Sequence, residues 1–509
     1  MHSKNQKNQE ASALFRPIYK KGLAVFGTSG LVLGLGMTGN NSAAAVNAPF
    51  ACTSENTLTA AGTSEEDKSR NVADLNTMIT DVGEICLRGD FFLNAKIEFT
   101  RDVHFYGDGI ASIQHLEGTV FEAEVRQDIT LENLTIRNST QNSAVVGANI
   151  TIINSNLTGN SGGAVLATGN VDITNSVITD SAGENGAAIQ AVSYGETMSV
   201  VNISNSTFSL NENESENDGD PNAYGGAIWA YGSVIISNST FVDNTANFGG
   251  AVYVVPDFNS GDLRVTNSTF VRNTATGNGA EGGALFARSG QVLFSTFLDN
   301  TGPTPVPGEE IPGNAIYKHG PETLSVGGNI FAGSSPDPQL GYGEIIFSPF
   351  SDLGGNLFTT SSDKETDITQ DDSSVFGVTI ASIFGTPTPA LATYAPNSSG
   401  TQTLGLTLGS TASNIVPSGL PFSAVTLDQR GATRSHPADA GAFEGVIPSV
   451  PTPTPSQTPA TATPPTATPP ALANTGTDNT FLLGLSSAGL IALGAFALAF
   501  RSRLKRNKD

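Results

Sequence analysis

Asn205-Ser206-Thr207-Phe208-Ser209-Leu210-Asn211, Asn238-Ser239-Thr240-Phe241-Val242-Asp243-Asn244 and Asn267-Ser268-Thr269-Phe270-Val271-Arg272-Asn273 are three copies of one phrase. Extended outward, its central apolar residue falls into register at Ile136, Leu157, Ile178, Phe208, Phe241, Phe270 and Phe297, with spacings of 21, 21, 30, 33, 29 and 27. Three positions before it stand Asn133, Asn154, Asn175, Asn205, Asn238 and Asn267; three positions after it stand Asn160, Ser181, Asn211, Asn244, Asn273 and Asn300. Each copy is followed by a second landmark: Gly162-Gly163-Ala164-Val165, Gly225-Gly226-Ala227-Ile228, Gly249-Gly250-Ala251-Val252 and Gly282-Gly283-Ala284-Leu285, with degenerate forms at 186–189 and 313–316. Self-similarity at this period means a solenoid, because one unit cannot bury its apolar face alone.

The residue types decide which solenoid. Val171-Asp172-Ile173, Val234-Ile235-Ile236 and Leu263-Arg264-Val265 are short, β-rich and partly alternating, without a 3.6-residue stripe. A 21-residue coil holds about three short strands joined by tight turns, with Gly where the backbone bends and Asn where a left-handed conformation or a stacked amide suits. Coils stacked about 4.8 Å apart place Phe on Phe and Asn on Asn. The predicted fold is therefore all-β, a right-handed parallel β-helix, with the longer spacings absorbed as outside loops before Gly225 and after Asn300. Further coils are expected at Gly328-Asn329-Ile330-Phe331 and Gly355-Asn356-Leu357-Phe358, and an amphipathic capping helix over 71–82 from Val72, Leu75, Ile79 and Val82.

The alternation of Phe-x-x-Asn with Gly-Gly-Ala-[Ile/Val/Leu] over roughly 130–320 resembles the repeat of chlamydial polymorphic outer-membrane proteins, β-helical adhesins within the pectin-lyase-like group. The chain departs from them in lacking an autotransporter barrel, so that likeness implies adhesion by analogy only. Val103-His104-Phe105-Tyr106-Gly107-Asp108-Gly109 resembles the early coils of pectin-lyase-like proteins. Asp428-Gln429-Arg430-Gly431 with Asp439-Ala440-Gly441-Ala442-Phe443-Glu444 resembles the closing motif of many anchored bacterial β-helix proteins, and a structural role for Arg430 or Arg434, pairing an acidic group beside a Gly turn, is expected there.

Both ends read as export signals. Lys4, Lys7, Arg16, Lys20 and Lys21 precede an apolar stretch at 22–36 and the small residues Ala43-Ala44-Ala45, the order of a signal peptide over 1–45. At the other end, Leu472-Ala473-Asn474-Thr475-Gly476 precedes an uncharged apolar run at 481–500 and a basic tail. Twenty such residues span roughly 30 Å, the thickness of a bilayer's hydrocarbon core, and the cations favour the cytoplasmic side. This order resembles the cell-wall sorting signal of Gram-positive surface proteins, in the Leu-Ala-x-Thr-Gly variant of high-GC organisms. The resemblance implies sortase and peptidoglycan as partners, with Thr475 as the attachment residue; an ordinary membrane anchor is the alternative. A Pro/Thr-rich stretch over 448–471 favours polyproline II, and about 20 residues of it reach on the order of 60 Å, enough for a spacer through the wall. The expected order is thus signal peptide 1–45, N-terminal cap 46–100, repeats 101–320, further coils and C-terminal cap 321–447, linker 448–471 and sorting signal 472–509.

Between 46 and 475 there are 14 Lys and Arg against 44 Asp and Glu, a net charge of −30. Such a surface repels nucleic acid and anionic lipid. Cys52 and Cys86 are the two cysteines. In an oxidising exterior one bridge between them is worth roughly 3–4 kcal/mol by loop entropy; two separate thiols are the alternative.

Catalytic signals are sparse. The histidines His104, His115, His319 and His436 are scattered and show no zinc spacing. Asp243, Arg272 and Asp299 share one repeat position on consecutive coils, which predicts either a salt-bridge ladder or two carboxylates roughly 10 Å apart, the latter a candidate catalytic pair. Asp218-Gly219-Asp220, in an acidic insert with Glu212, Glu214 and Glu216, is a candidate Ca²⁺ site without a full loop motif; a solvated insertion is the alternative, and no cofactor is otherwise expected. The expectation is a non-enzymatic, wall-anchored adhesin or binding protein for host or neighbouring-cell glycans or proteins. The alternatives are a wall-anchored polysaccharide lyase or glycoside hydrolase of the pectin-lyase-like group, and a passive stalk.

Overall fold

The computed structural model describes residues 52–447 apart from 124–125, 138, 141, 194–197, 214–222, 256–260, 277–279, 303–312, 334–339, 343–349, 360–370 and 420. The segments expected as signal peptide, linker and sorting signal (Leu472–Gly476 with Thr475), the apolar run 481–500, and Asp218 and Asp220 lie outside the described residues.

One coil shows the construction. Val171–Thr174 lies in a first sheet, Val177–Thr179 in a second, Ala182–Gly183 in a short fourth and Ile189–Ala191 in a third, after which Val200–Ser204 returns to the first sheet one level on. Repetition gives sheets of 12, 11, 10 and 4 described strands, in which almost every strand pairs with the equivalent strand of the coils before and after it. The ladders along the coils are parallel, the connections are of the kind that is almost always right-handed, and the chain is a right-handed parallel β-helix.

The register is the one written in the repeat. Ile136, Leu157, Ile178, Phe208, Phe241, Phe270 and Phe297 are direct partners along the second sheet, and the row continues through Phe331 and Phe358. From Phe208 to Phe376 the rings stack face to face at centroid separations of 4.6–5.1 Å. The asparagines before this row hold the left-handed conformation required where the first sheet turns into the second, with φ between 49° and 54° from Asn133 to Asn267. At the Gly-Gly-Ala landmark, a side chain on Gly249 would meet the Val252 carbonyl oxygen at 2.2 Å, and one on Gly250 the Gly283 carbonyl oxygen at 2.2 Å. The connections between the first, second and fourth sheets keep constant length, so the extra residues of longer coils enter on either side of the third sheet.

The N-terminal end differs from expectation in extent. Helix α1 runs over Glu65–Asp81, starting six residues before the expected position 71 because Ser64 and Asp67 form a capping box. It buries Leu75 and Ile79 over the end of the core, while Val82 is left exposed as the C-cap. The buried Asn71 side chain accepts from Ala61 N (2.8 Å) and donates to Phe92 O (3.0 Å). The first coil, Glu84–Arg88, Asp90–Leu93 and Ile97–Phe99, already pairs with the next one, so the solenoid begins inside the segment expected to be only a cap. Cys52 and Cys86 are joined by a disulfide across 34 residues. Reducing it in the full chain is expected to cost roughly 3–4 kcal/mol by loop entropy. A thermal melt with and without reductant measures this, and an unshifted transition contradicts it.

The segment expected as further coils and C-terminal cap is a correction in part. Coils continue to Leu357–Phe358, and Phe376 closes the ring stack. After α2 (Ile380–Phe384) the chain does not simply cap the end. It returns along the outside of the second sheet as an irregular strap, where Thr240 Oγ1 donates to Gln402 O, Asn267 Nδ2 to Leu427 O (2.7 Å) and Ala442 N to Thr296 Oγ1 (3.0 Å). The cause lies in the outward positions of that sheet. Thr158, Thr179 and Ser209 on the early coils give way to Val242, Val271, Leu298 and Ala332, an apolar face that Ile383, Phe384, Leu404, Leu406 and Val416 cover.

Candidate binding surface

Most polar residues of the repeat are consumed inside it. Asn211, Asn244, Asn273 and Asn300 form a buried amide ladder: each Nδ2 donates to the next Oδ1 at 2.9 Å, and each also donates to a carbonyl of the preceding coil at 3.0–3.1 Å. A parallel ladder of buried hydroxyls runs through Ser155, Ser176, Ser206, Ser239, Ser268 and Ser295, each receiving the backbone N–H of the coil before. Among the described residues the amide ladder has a fault at Ser181. Ser181 replaces Asn between Asn160 and Asn211, and Asn160 Nδ2 and Ser181 Oγ are both buried without a protein partner. Ser181→Asn is therefore expected to stabilise by about 1–2 kcal/mol, as two buried groups gain partners. A rise in the denaturation midpoint checks this, and a fall contradicts it.

The candidate catalytic pair is brought into line but not into a site. Asp243, Arg272 and Asp299 occupy the same left-handed corner on consecutive coils. Arg272 donates from Nε and a terminal nitrogen to the two Asp243 oxygens, both at 2.8 Å, and this bond, with the charges of Asp243 and Asp299, holds its proton more tightly than usual. An exposed pair of this kind contributes about 0–1 kcal/mol. The histidines stay apart: His104 faces Glu132 at 3.3 Å, His115 bonds Thr119 O at 2.7 Å, and His319 stacks on Phe286. Among the described residues no group of three His, Cys, Asp or Glu could hold a metal ion.

The closing motif is a buried lock for the strap. Arg430 donates from Nε (2.9 Å) and Nη2 (2.7 Å) to Asp428 Oδ2 and lies 3.5 Å over the Phe443 ring. Arg434 pairs with Glu444 at 3.2 Å, donates to Asn267 Oδ1 and Gly441 O, each at 2.8 Å, and lies 4.0 Å over Phe294. Burial pulls the Arg434 guanidinium down to about 10, against the opposing pull of Glu444, Asp428 and Asp439, so it stays charged at neutral pH. Gln429 sits between strap and coils, donating to Thr240 Oγ1 and Gln402 O, each at 3.0 Å. A second buried cation group was not foreseen: Arg288 pairs with Glu322, and Lys318, whose pKa burial pushes down, donates to Gly320 O at 2.6 Å.

Two unlike surfaces lie on the outside of the third and second sheets. Along the third sheet the outward row reads Val146, Leu166, Gln190, Trp229, Tyr253, Phe286, Tyr317. Tyr224 and Phe248 stand beside it as a second row, and Tyr224 and Tyr253 approach to 4.6 Å. Tyr253, Phe286 and Tyr317 are buried in this outer aromatic cluster, whereas Trp229, Tyr224 and Phe248 are partly exposed. Burial, with Tyr224 and Glu281 nearby, raises the Tyr253 pKa, so its hydroxyl stays protonated. Chemically the row offers aromatic faces for stacking beside hydrogen-bonding tips. The second surface, on the early coils of the second sheet, carries Thr158, Thr179 and Ser209 and ends in a cleft of about 250 Å³ against the strap. The aromatic row was missed in the sequence, although Trp229, Tyr253 and Phe286 each directly follow a Gly-Gly-Ala-[Ile/Val/Leu] landmark.

The chain matches no protein-family model and no curated protein. Among solved structures, the crystal structure of pectate lyase Pel9A aligns with a TM-score of 0.33 and 13% identity, covering 71% of this chain and 87% of that one. That degree of likeness is too low to bear on activity.

Proposed function

We propose that this chain is an exported surface protein, covalently attached to the cell wall at Thr475, that acts as an adhesin or binding protein for host or neighbouring-cell glycans or proteins. The observation that carries the binding role is the outward aromatic row on the third sheet, where Trp229, Tyr224 and Phe248 leave part of their faces open. Aromatic side chains with a large contact area and little entropy to lose are well suited to recognition. Asp243, the first candidate for catalysis, is already engaged by Arg272, which favours binding over the alternative of a wall-anchored polysaccharide lyase or hydrolase. Attachment rests on Leu472-Ala473-Asn474-Thr475-Gly476, the apolar run and the basic tail.

Two variants test the two halves separately. Thr475→Ala is expected to move the protein from the wall fraction to the membrane or the medium; unchanged wall retention refutes sorting. Trp229→Ala in otherwise unaltered cells is expected to reduce adherence to glycoprotein-coated surfaces at least severalfold at equal surface display. Undiminished adherence, or uronate cleavage by the purified full chain, refutes the binding role.

A further inference from the structure

The left-handed asparagines form a row of identical amides, and the strap shows what one of them can do. At Asn267 the amide is buried, donates to the Leu427 carbonyl and accepts from Arg434, so a strap segment is held by both ends of the side chain. At Asn238 the strap makes a related contact, Thr401 Oγ1 donating to the Asn238 carbonyl at 3.0 Å. One and two coils nearer the N-terminus the strap ends. There the amides of Asn205 and Asn175 make no side-chain hydrogen bond among the described residues, and they line the cleft of about 250 Å³ whose other wall is Asn397–Thr401.

We infer that this cleft is a binding site for a neutral oligosaccharide, with Asn175, Asn205 and Asn397 as its hydrogen-bonding groups. Three observations select that ligand class. The lining is amide, hydroxyl, glycine and one valine, with no charged residue, and the whole chain carries a net charge of −23, so an anionic sugar finds no counter-charge in the cleft and meets long-range repulsion. The main chain at the cleft is already used, Asn175 N donating to Ser204 O and Asn205 N to Ser237 O, each at 3.2 Å, so no free sheet edge exists for a peptide to extend. Side-chain amides both donate and accept, as sugar hydroxyls do, and the cleft opens onto the hydroxyl strip of Thr207, Ser209 and Thr179 along which a chain could continue. The inference deepens the proposed binding role, yet its site lies on the second sheet and is separate from the aromatic row.

The test uses the full-length chain in detergent and two probe sets, neutral gluco-, manno- and galacto-oligosaccharides and oligogalacturonates, titrated by calorimetry. The variant is Asn175→Gly with Asn205→Gly, because glycine keeps the positive φ of 52° and 49° without strain and removes only the amides. At least one neutral probe is expected to bind, the double variant to lose at least tenfold in affinity at an unchanged melting temperature, and Asn154→Gly, at an exposed corner of the same row outside the cleft, to retain that affinity within twofold. Binding of uronates alone, binding of no neutral probe, or an unaffected double variant overturns the inference. Loss of neutral-probe binding in Trp229→Ala with retention in the double variant also overturns it, and assigns the sugar to the aromatic row instead.

Discussion

Asn244→Ala is expected to destabilise the solenoid by about 3–5 kcal/mol, although it removes an uncharged side chain from a chain of 509 residues. The amide sits mid-ladder with no solvent exposure. Its Nδ2 donates to Asn273 Oδ1 (2.9 Å) and Phe208 O (3.0 Å), and its Oδ1 accepts from Asn211 N (3.1 Å) and Asn211 Nδ2 (2.9 Å). Alanine supplies no replacement, so donors and acceptors on the two neighbouring coils lose a partner where water does not reach. Each such buried orphan costs about 1–3 kcal/mol, partly relieved by relaxation. Stability in a solenoid is a sum of units and interfaces, so the loss should appear first as local opening. Hydrogen exchange is expected to accelerate in the coils between Ile178 and Asn273, and the denaturation midpoint to fall. Asn154→Gly is the matched control: the same residue type, exposed at a corner whose φ of 49° glycine tolerates, should change stability by less than about 0.5 kcal/mol. Equal effects of the two substitutions would mean that burial in the ladder is not what stabilises the coils.

Arg434→Ala is expected to be as costly and to act in a different place. The side chain is buried between Glu444, the Asp439 and Gly441 carbonyls, Asn267 and the Phe294 ring. Its removal strands the Glu444 carboxylate, which otherwise accepts from Arg434, Ser435 and Asp439. Removing one partner of a buried pair costs about 3–5 kcal/mol, much of it the desolvation of the group left behind. The penalty falls on the strap rather than on the coils, whose own ladders are intact. Limited proteolysis should therefore cut within 385–447 at low protease while the core up to Phe358 survives, and a hydrophobic dye should bind the uncovered Val271, Leu298 and Ile330 face. Cleavage at wild-type rates would contradict the lock.

These two sites also mark how far the sequence could be read. The ladder was legible because stacking in register forces like residues onto like, so the period alone puts Asn244 above Asn211 and Phe241 above Phe208. The left-handed role of Asn205 and its equivalents was legible for the same reason, since few side chains tolerate that conformation. The strap was not. Its contacts join residues about 160 positions apart, such as Asn267 with Leu427 and Arg434, and no repeat marks them. One local signal existed: the position after the stacked Phe changes from Ser209 to Val242, Val271 and Leu298, announcing a face in need of cover. The early start of α1 was missed because Ser64 and Asp67 extend the helix beyond its apolar stripe. For the candidate sites, the sequence aligned Arg272 with Asp243 and Asp299 but could not say which carboxylate the guanidinium would take, because all three share the same left-handed corner; in the structure it is Asp243. The cleft at Asn175 and Asn205 was invisible, because half its wall belongs to the strap.

Every face described above depends on one coil lying directly over the next, and distances along the first sheet test that directly. With one spin label at Thr130 and the second at Ile235, Arg264 or Gln291, the labelled positions lie four, five and six coils apart in the sheet order. At about 4.8 Å per coil the separations should be roughly 19, 24 and 29 Å before the width of the labels, rising in equal steps despite the unequal 29 and 27 residues between the three partner positions. Equal increments of one strand spacing are the predicted result. Distances that fail to rise from Ile235 to Gln291, or that rise by more than twice that spacing per coil, would contradict the stacked solenoid.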